Sequence, residues 1–158
     1  LTFYENNKMV YERSFNIGTI RVLNGLVEDT HWKELKEEIK KNIVGKKKVV
    51  AIGSGGNINK VFSMSKTKDG EPISDNTIKK FYRELSALSV TERMTKYGFR
   101  EDRADVIVPA LEIVKNVMAW AGITKMYVPK ISVADGLVHN IYDNLHKGSQ
   151  AKTLDPQA

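Results

Sequence analysis

The fold is decided by the stretch Val49-Val-Ala-Ile-Gly-Ser-Gly-Gly-Asn57, in which a short apolar run passes into a glycine-rich turn. Apolar residues then recur at helical spacing at Ile58, Val61, Phe62 and Met64. This order predicts a buried strand over residues 48–52, a tight turn and a helix. Such a turn brings bare backbone N–H groups and the positive end of a helix dipole together, where phosphate can bind.

Two interpretations of the turn stay open at this point. The first is a phosphate site, and the second is a tight turn that needs small residues for packing. The stretch matches neither the GxGxxG pattern nor the GxxxxGK[ST] pattern of nucleotide-binding loops. The turn by itself therefore does not identify a ligand.

On the N-terminal side, the sequence predicts a hairpin and an amphipathic helix. Strand-forming residues fill residues 1–5 and 8–15, and Asn6-Asn7 between them is typical of a hairpin turn. Asp29-Thr30 then precede apolar residues at helical spacing up to Ile43, before Gly45. The apolar stripe of this helix predicts packing against a sheet.

On the C-terminal side, further helices and one strand are predicted. Ser74-Asp75 can cap a helix that reaches Leu88, and a short helix follows from Val90 to Tyr97. Asp102 can cap the most apolar helix, with its face from Ile107 to Ala121. Pro109 predicts that this helix either kinks or begins later than the pattern suggests.

The chain is predicted to close with a strand over residues 125–131 and a helix that opens at Asp135-Gly136 and runs through Leu145. The complete order predicts an α/β fold, a mixed sheet covered by helices. The length of 158 residues fits one domain. We assign it to residues 1–147 and predict a disordered polar tail over 148–158.

The composition of the chain limits the partners and the chemistry that we expect. A net charge of +6 and a pI near 9.4 favour polyanionic partners such as nucleotides, polyphosphate, nucleic acid or acidic lipid. The run Lys46-Lys47-Lys48 fits a solvated helix end, and the lack of a recognised nucleic-acid motif argues against nucleic acid. Without a long apolar run or a leader pattern, the default expectation is a cytoplasmic protein without membrane contact. The absence of cysteine excludes disulfides and thiolate chemistry.

The segment Arg100-Glu-Asp-Arg-Ala-Asp-Val-Ile107 is the second candidate site, because two arginines before a helix can clamp phosphate oxygens. The alternative pairs these arginines with Glu101, Asp102 or Asp105. Asp102 and Asp105 themselves fit carboxylates at a helix start better than a metal pair. The histidines show no zinc-site spacing, and no serine lies in a nucleophile motif. These residues do not make a complete active site.

Several segments together resemble the second lobe of the exopolyphosphatase/guanosine pentaphosphate phosphatase (Ppx/GppA) family. They are Ser14-Phe-Asn-Ile-Gly-Thr-Ile-Arg21, Ala51-Ile-Gly-Ser-Gly-Gly-Asn57, Arg100-Glu-Asp-Arg-Ala-Asp-Val-Ile107 with Pro109-Ala110, and Ile131-Ser-Val-Ala-Asp-Gly-Leu137. Each is short, but their order and spacing span most of the chain.

The resemblance implies a ribonuclease-H-like lobe of the actin, Hsp70 and sugar-kinase superfamily, in which two lobes enclose a phosphate-binding cleft. It implies that this chain lacks the first lobe, which carries the catalytic glutamate, a metal-binding aspartate and a glycine-rich loop, and is inactive alone. It implies hydrolysis of polyphosphate or guanosine pentaphosphate with Mg²⁺ held mainly by that N-terminal lobe. The implied phosphate-binding residues are Gly53, Ser54, Gly55, Gly56, Asn57, Arg100 and Arg103, with no catalytic or metal residue.

Two departures from the family pattern bear on the substrate. Asn57 stands where a threonine is common, and Leu137-Val-His-Asn140 replaces a frequent Leu-Arg-Glu-Gly pattern. The second departure removes an anion contact, which puts the usual long-chain substrate in doubt. Two other hypotheses remain open: an ATP-binding lobe of a related kinase, and a non-catalytic module that binds phosphate, nucleotide or nucleic acid. A homodimer is a further candidate arrangement.

Overall fold

In a computed structural model, the chain forms five strands and eight helices over the part that is described. The structure describes residues 1–46 and 48–150, with only the backbone at Val133 and over 147–150. The strands are β1 (Thr2–Glu5), β2 (Lys8–Glu12), β3 (Ala51–Ile52), β4 (Ile73–Ser74) and β5 (Lys125–Tyr127). The helices are α1 (Thr19–Leu23), α2 (Asp29–Ile43), α3 (Gly56–Ser65), α4 (Asp75–Ser86), α5 (Val90–Tyr97), α6 (Glu101–Ala104), α7 (Ile107–Trp120) and α8 (Val133–Gln150).

The central sheet is small and mixed, in the order β3-β5-β4. β3 runs parallel to β5, and β4 runs antiparallel to it, so that Met126 lies opposite Ala51 on one side and Ile73 on the other. Met126 and Ile73 are buried, whereas Ile52 and Tyr127 lie exposed on the opposite face. The sheet therefore turns one apolar face toward the helices.

The core lies between that face and helices α3, α4 and α7. It centres on Phe62, Ile78, Leu85, Ile107 and Leu111, each almost completely buried. Burial of such side chains contributes about 1.5–3 kcal/mol each to the hydrophobic driving force. The α/β class and the mixed sheet expected from the sequence are confirmed.

The hairpin is confirmed, with Asn6 and Asn7 at positive φ between β1 and β2. The helices predicted after Asp29, after the glycine turn, after Ser74 and at 90–97 are confirmed as α2, α3, α4 and α5. Ser74 caps α4 as predicted, because its side chain accepts a hydrogen bond from the N–H of Thr77.

Several predicted boundaries were wrong. β2 ends at Glu12 rather than at 15, β3 is shorter than the predicted strand over 48–52, and β5 ends at Tyr127 rather than at 131. Pro129, which lacks an N–H, and Lys130, at φ 57°, cannot continue a regular strand. α1 and β4 were not predicted.

The apolar helix α7 begins at Ile107, and the separate short helix α6 precedes it. Asp102 lies inside α6, whose N-cap is Arg100, so the prediction that Asp102 caps the long helix was wrong. Pro109 falls in the first turn of α7, where a backbone N–H has no helical acceptor. This is the later start that Pro109 had suggested.

The last helix begins earlier than predicted. α8 starts at Val133 because Asp135 accepts hydrogen bonds from the N–H and hydroxyl of Ser132, as in a capping box. The predicted tail over 148–158 begins inside α8, and residues 151–158 lie outside the described part of the chain. Among the helices of the described residues, none combines the length and the apolar character needed to cross a membrane.

Candidate functional site

The glycine turn, residues 53–57, joins β3 to α3, and its first residue is fixed by the neighbouring strand. The N–H of Gly53 donates to the carbonyl of Tyr127 over 2.8 Å, which extends the pairing of β3 with β5. A Cβ atom at Gly53 would lie 2.6 Å from Sδ of Met126. Gly53 is therefore required by packing, as the second interpretation of the turn proposed.

Gly55, in the middle of the turn, is required for its backbone conformation. Gly55 has φ 113° and ψ 161°, a backbone conformation essentially reserved for glycine, and open space surrounds it. It is the N-cap of α3, and the first α-helical hydrogen bond runs from the N–H of Asn59 to its carbonyl over 3.1 Å. The backbone conformation, and not crowding, selects glycine here.

The first turn of α3 leaves donors open. Within the described residues, no protein acceptor takes the N–H of Gly56, Asn57 or Ile58, and no side chain caps the helix. These groups lie at the positive end of the helix dipole, and the first turn contains no acidic residue. Backbone donors without a protein acceptor at a helix start are the feature that the phosphate interpretation requires.

Arg103 lies directly over this turn. Its Nη1 donates to Oδ1 of Asn57 over 2.9 Å, and a Cβ atom at Gly56 would lie 2.8 Å from the same nitrogen. Arg103 is half-buried and forms no ion pair within the described residues. The structure thus brings Gly56, Asn57 and Arg103 together, and the pairing of Arg103 with a local carboxylate is not formed.

Arg100 has a different setting. Its side chain is 89% exposed, and its Nε lies 3.4 Å from Oδ1 of Asp102. No hydrogen bond or ion pair joins it to residues 53–57 in the part of the chain that the structure describes. The local salt bridge, which was the alternative for both arginines, is the arrangement observed for Arg100.

The position of Arg103 depends on Arg93, which sequence reasoning missed. From α5, Nε of Arg93 donates to the carbonyl of Leu85 over 2.7 Å, and its Nη1 donates to the carbonyl of Ala104 over 2.8 Å. Burial lowers the pKa of Arg93, and the charge of Asp105 opposes that shift. Arg93 thereby ties α6, the helix of Arg103, to the end of α4. No local pattern around Arg93 signals such a contact.

A shallow depression of about 240 Å³ opens beside the turn. Its lining residues are Thr19, Gly53, Ser54, Gly55, Gly56, Asn57, Ile58, Ala110, Ile113 and Val114. Thr19, at the start of α1, was not predicted as a site residue, although it lies within the segment Ser14–Arg21 that carried the family resemblance. The depression has one polar side and one apolar side, the latter supplied by α7.

The turn offers backbone donors and one guanidinium, and the lining of the depression contains no acid–base side chain. Among the described residues, no three histidine, aspartate or glutamate side chains gather closely enough to hold a metal ion. The depression has no carboxylate in its lining. Backbone donors and one guanidinium are groups that stabilise negative charge rather than transfer protons.

Solved structures decide the fold family. A Ppx/GppA family member from Aquifex aeolicus superposes with a TM-score of 0.69 at 18% identity, over 90% of this chain and 52% of that structure. An exopolyphosphatase from Cytophaga hutchinsonii gives a TM-score of 0.68 at 19% identity, over 87% of this chain and 51% of that one. The chain has the fold of half a Ppx/GppA protein.

These structures confirm the resemblance to Ppx/GppA proteins that the combined sequence segments had suggested. At these identities the likeness is one of fold. The chain spans about half the length of these structures. It likewise covers 51% of the type II variant of the Aquifex aeolicus Ppx/GppA phosphatase. No protein-family model and no curated protein matches the chain by sequence.

Proposed function

We propose that this chain is the second, ribonuclease-H-like lobe of a hydrolase that cleaves a terminal phosphoanhydride of polyphosphate or guanosine pentaphosphate. The observation that carries the proposal is the α3 N-terminus, where free N–H groups follow Gly55 and the guanidinium of Arg103 lies on Gly56. Both features favour the same ligand, a phosphate group. The Ppx/GppA fold supports this proposal.

In the proposed reaction, a water molecule attacks the terminal phosphorus and the anhydride bond to the next phosphate breaks. A carboxylate of the other lobe would take the proton of that water. This chain would hold the phosphates through the N–H groups of Gly56 and Asn57 and through Arg103, whose charge would stabilise the departing chain. Closure of the lobes would exclude bulk water from the cleft.

Arg103 has hydrogen-bond donors left over for this role. A guanidinium carries five N–H donors, and the observed contact with Asn57 uses one of them. Asn57, which stands where threonine is common in the family, would hold the guanidinium against the turn before an anion arrives. Such pre-organisation lowers the entropic cost of binding.

We propose that Mg²⁺ is held mainly by the other lobe. Mg²⁺ prefers carboxylate and phosphate oxygens in octahedral geometry, and the described residues contain no acidic cluster for it. This chain would therefore contribute to the reaction through its contacts with the phosphates rather than through a metal cluster of its own.

The other lobe is the proposed main partner, with a second copy of this chain as the alternative. Ile52 and Tyr127 on the open face of the sheet, together with Leu137 and Ile141 on α8, expose apolar surface that a partner could cover. We propose a cytoplasmic location, no membrane contact and no role in nucleic-acid binding.

The test is phosphate release from polyphosphate and guanosine pentaphosphate in the presence of Mg²⁺. It compares this chain alone, a Ppx/GppA first lobe alone, and the two joined in one polypeptide. We expect release from the joined protein only, and we expect Arg103→Gln to lower it by tenfold or more, since a charge-assisted hydrogen bond contributes about 1.5–3 kcal/mol.

The control is Arg21→Gln, which removes an exposed arginine without an ion pair in the described residues. If the joined protein folds, binds Mg²⁺ and releases no phosphate, the hydrolase proposal fails. Transfer of phosphate from ATP to an acceptor by the joined protein would favour a related kinase instead. Binding of phosphate without turnover would favour a non-catalytic module.

A further inference from the structure

A second depression, lined by basic side chains, lies between α4 and α7. It has a volume of about 500 Å³, within the range of pockets that hold small ligands. We call this depression the α4–α7 pocket. It is lined by Asn76, Lys79, Tyr82, Arg83 and Lys115. None of them was a candidate from the sequence, because α4 and α7 are far apart along the chain.

Two of the three basic side chains that line the pocket form no ion pair within the described residues. Lys79 is paired with Asp75, whose Oδ2 lies 2.6 Å from its Nζ. Arg83 and Lys115 form no ion pair within residues 1–46 and 48–150. The nearby Lys80 is paired with Glu84 at 3.9 Å. The lining therefore presents two cations without carboxylate partners.

Lys115 differs from the other basic residues of the lining, Lys79 and Arg83, which are exposed. It is half-buried, and its Nζ lies 3.9 Å from the centre of the Tyr82 ring. A ring face attracts an ammonium group but takes none of its N–H donors in a conventional hydrogen bond. Within the described residues Nζ of Lys115 forms no hydrogen bond or ion pair, so its donors are available to an anion in the pocket.

The neutral groups of the lining can also donate hydrogen bonds to an anion. Burial and the charge of Glu112 raise the pKa of Tyr82, which keeps its phenol protonated. The amide of Asn76 adds N–H donors at the pocket edge. Glu112 is the acidic group that faces Tyr82, and it is not part of the lining.

We propose that the α4–α7 pocket binds a run of phosphate groups, from either polyphosphate or a nucleoside polyphosphate, at a site separate from the glycine turn. The two sites use different residues of α7: Ala110, Ile113 and Val114 line the depression at the turn, whereas Lys115 lines the pocket. The inference does not depend on the hydrolase proposal, because it rests on other residues.

The experiment measures binding of tripolyphosphate and of guanosine triphosphate to the full chain by titration calorimetry and by amide chemical-shift mapping. The variants are Arg83→Gln, Lys115→Gln and the two combined. The matched control combines Lys80→Gln with Arg21→Gln, which removes the same amount of charge from surface sites. Arg103→Gln reports separately on the glycine turn.

We expect tripolyphosphate to shift the amides around Tyr82 and Lys115 in the unmodified chain. We also expect the combined pocket variant to lose tenfold or more in affinity at that site, while the control changes less than threefold. Tighter binding of guanosine triphosphate than of tripolyphosphate would identify a nucleotide as the source of the phosphates. Equal binding would identify the phosphate chain alone.

Three results would overturn the proposal. In the first, the pocket variant and the control lose affinity equally, which would show general charge attraction. In the second, shifts occur only around residues 53–57 and vanish in Arg103→Gln. In the third, guanosine triphosphate binds and tripolyphosphate does not. The mapping on the unmodified chain needs no substitution, so a variant that failed to fold would leave a decisive measurement in place.

Discussion

Nη1 of Arg103 donates a 2.9 Å hydrogen bond to Oδ1 of Asn57 across a sequence separation of 46 residues. This contact joins the two sequence segments that had been separate candidates for phosphate binding. It also distinguishes the two arginines of the second segment, because Arg100 lies in solvent beside Asp102. The candidate site is thus a turn with one arginine over it, rather than a pair of arginines before a helix.

The two arginines should differ in their effect on anion binding. We expect Arg103→Gln to weaken tripolyphosphate binding at the turn about tenfold, which corresponds to ~1.4 kcal/mol. Arg100→Gln removes the same charge from an exposed position and should change affinity less than threefold, because a solvated charge is screened. Shift mapping of residues 53–57 during the titration measures both. Equal losses would show that long-range charge, and not the contact with Asn57, governs binding.

Substitutions at two glycines of the turn should affect protein stability and anion binding differently. Gly55→Ala places a side chain at φ 113° and should cost about 1–3 kcal/mol through backbone strain, although space around it is open. Gly56→Ala should barely alter stability, because the guanidinium of Arg103 is a flexible end that can move aside, yet it should weaken anion binding. Thermal unfolding and titration of each variant check this. A large loss of stability in Gly56→Ala would contradict it.

Arg93 should act on the site through the position of α6. Arg93→Met removes the hydrogen bonds to Leu85 and Ala104 and should destabilise the protein by about 1–3 kcal/mol. At the rate of about 2–4 °C per kcal/mol for a domain of this size, unfolding would occur several degrees lower. Arg21→Met is the control at an exposed arginine and should leave the melting temperature within about 1 °C. A stable Arg93→Met protein with unchanged anion affinity would show that α6 is held by other contacts.

The capping box of α5 predicts a pH dependence of stability. Glu92 accepts hydrogen bonds from the N–H and hydroxyl of Ser89, at 2.7 and 2.8 Å, and these bonds lower its pKa from the ordinary 4.5. A carboxyl whose pKa is lowered by folding stabilises the protein above its unfolded pKa, and the contribution is lost as the pH falls through the folded value. Glu92→Gln should therefore lower the melting temperature at pH 7, and this difference should shrink as the pH falls below the ordinary pKa of 4.5.

The control for that series is Glu101→Gln, at an exposed carboxylate that forms no ion pair in the described residues. Its effect on the melting temperature should be small at both pH values. A difference between Glu92→Gln and the unmodified chain that persists unchanged at pH 3 would exclude the capping carboxylate as its source.

Elements with a long periodic pattern were predictable, and short ones were not. α2, α4 and α5 follow from their apolar spacing and, for α4, from the capping residue Ser74, since each signal lies within one or two turns of the chain. β4 has only two residues and forms because Ile73 meets Met126 on β5. α1 is five residues long, without a buried residue or a side-chain cap to signal it. Short elements depend on distant partners that a local pattern does not contain.

The sequence by itself determined the glycine turn, the helix after it and the α/β class, because glycine conformation and apolar periodicity are local properties. Only the tertiary structure decided which arginine reaches the turn, through the bonds of Arg93 that position α6. Tertiary structure likewise decided the pocket around Lys115, since it forms where α4 packs on α7. The reason is physical: a site made of side chains from separate elements exists only once the core has fixed those elements relative to one another.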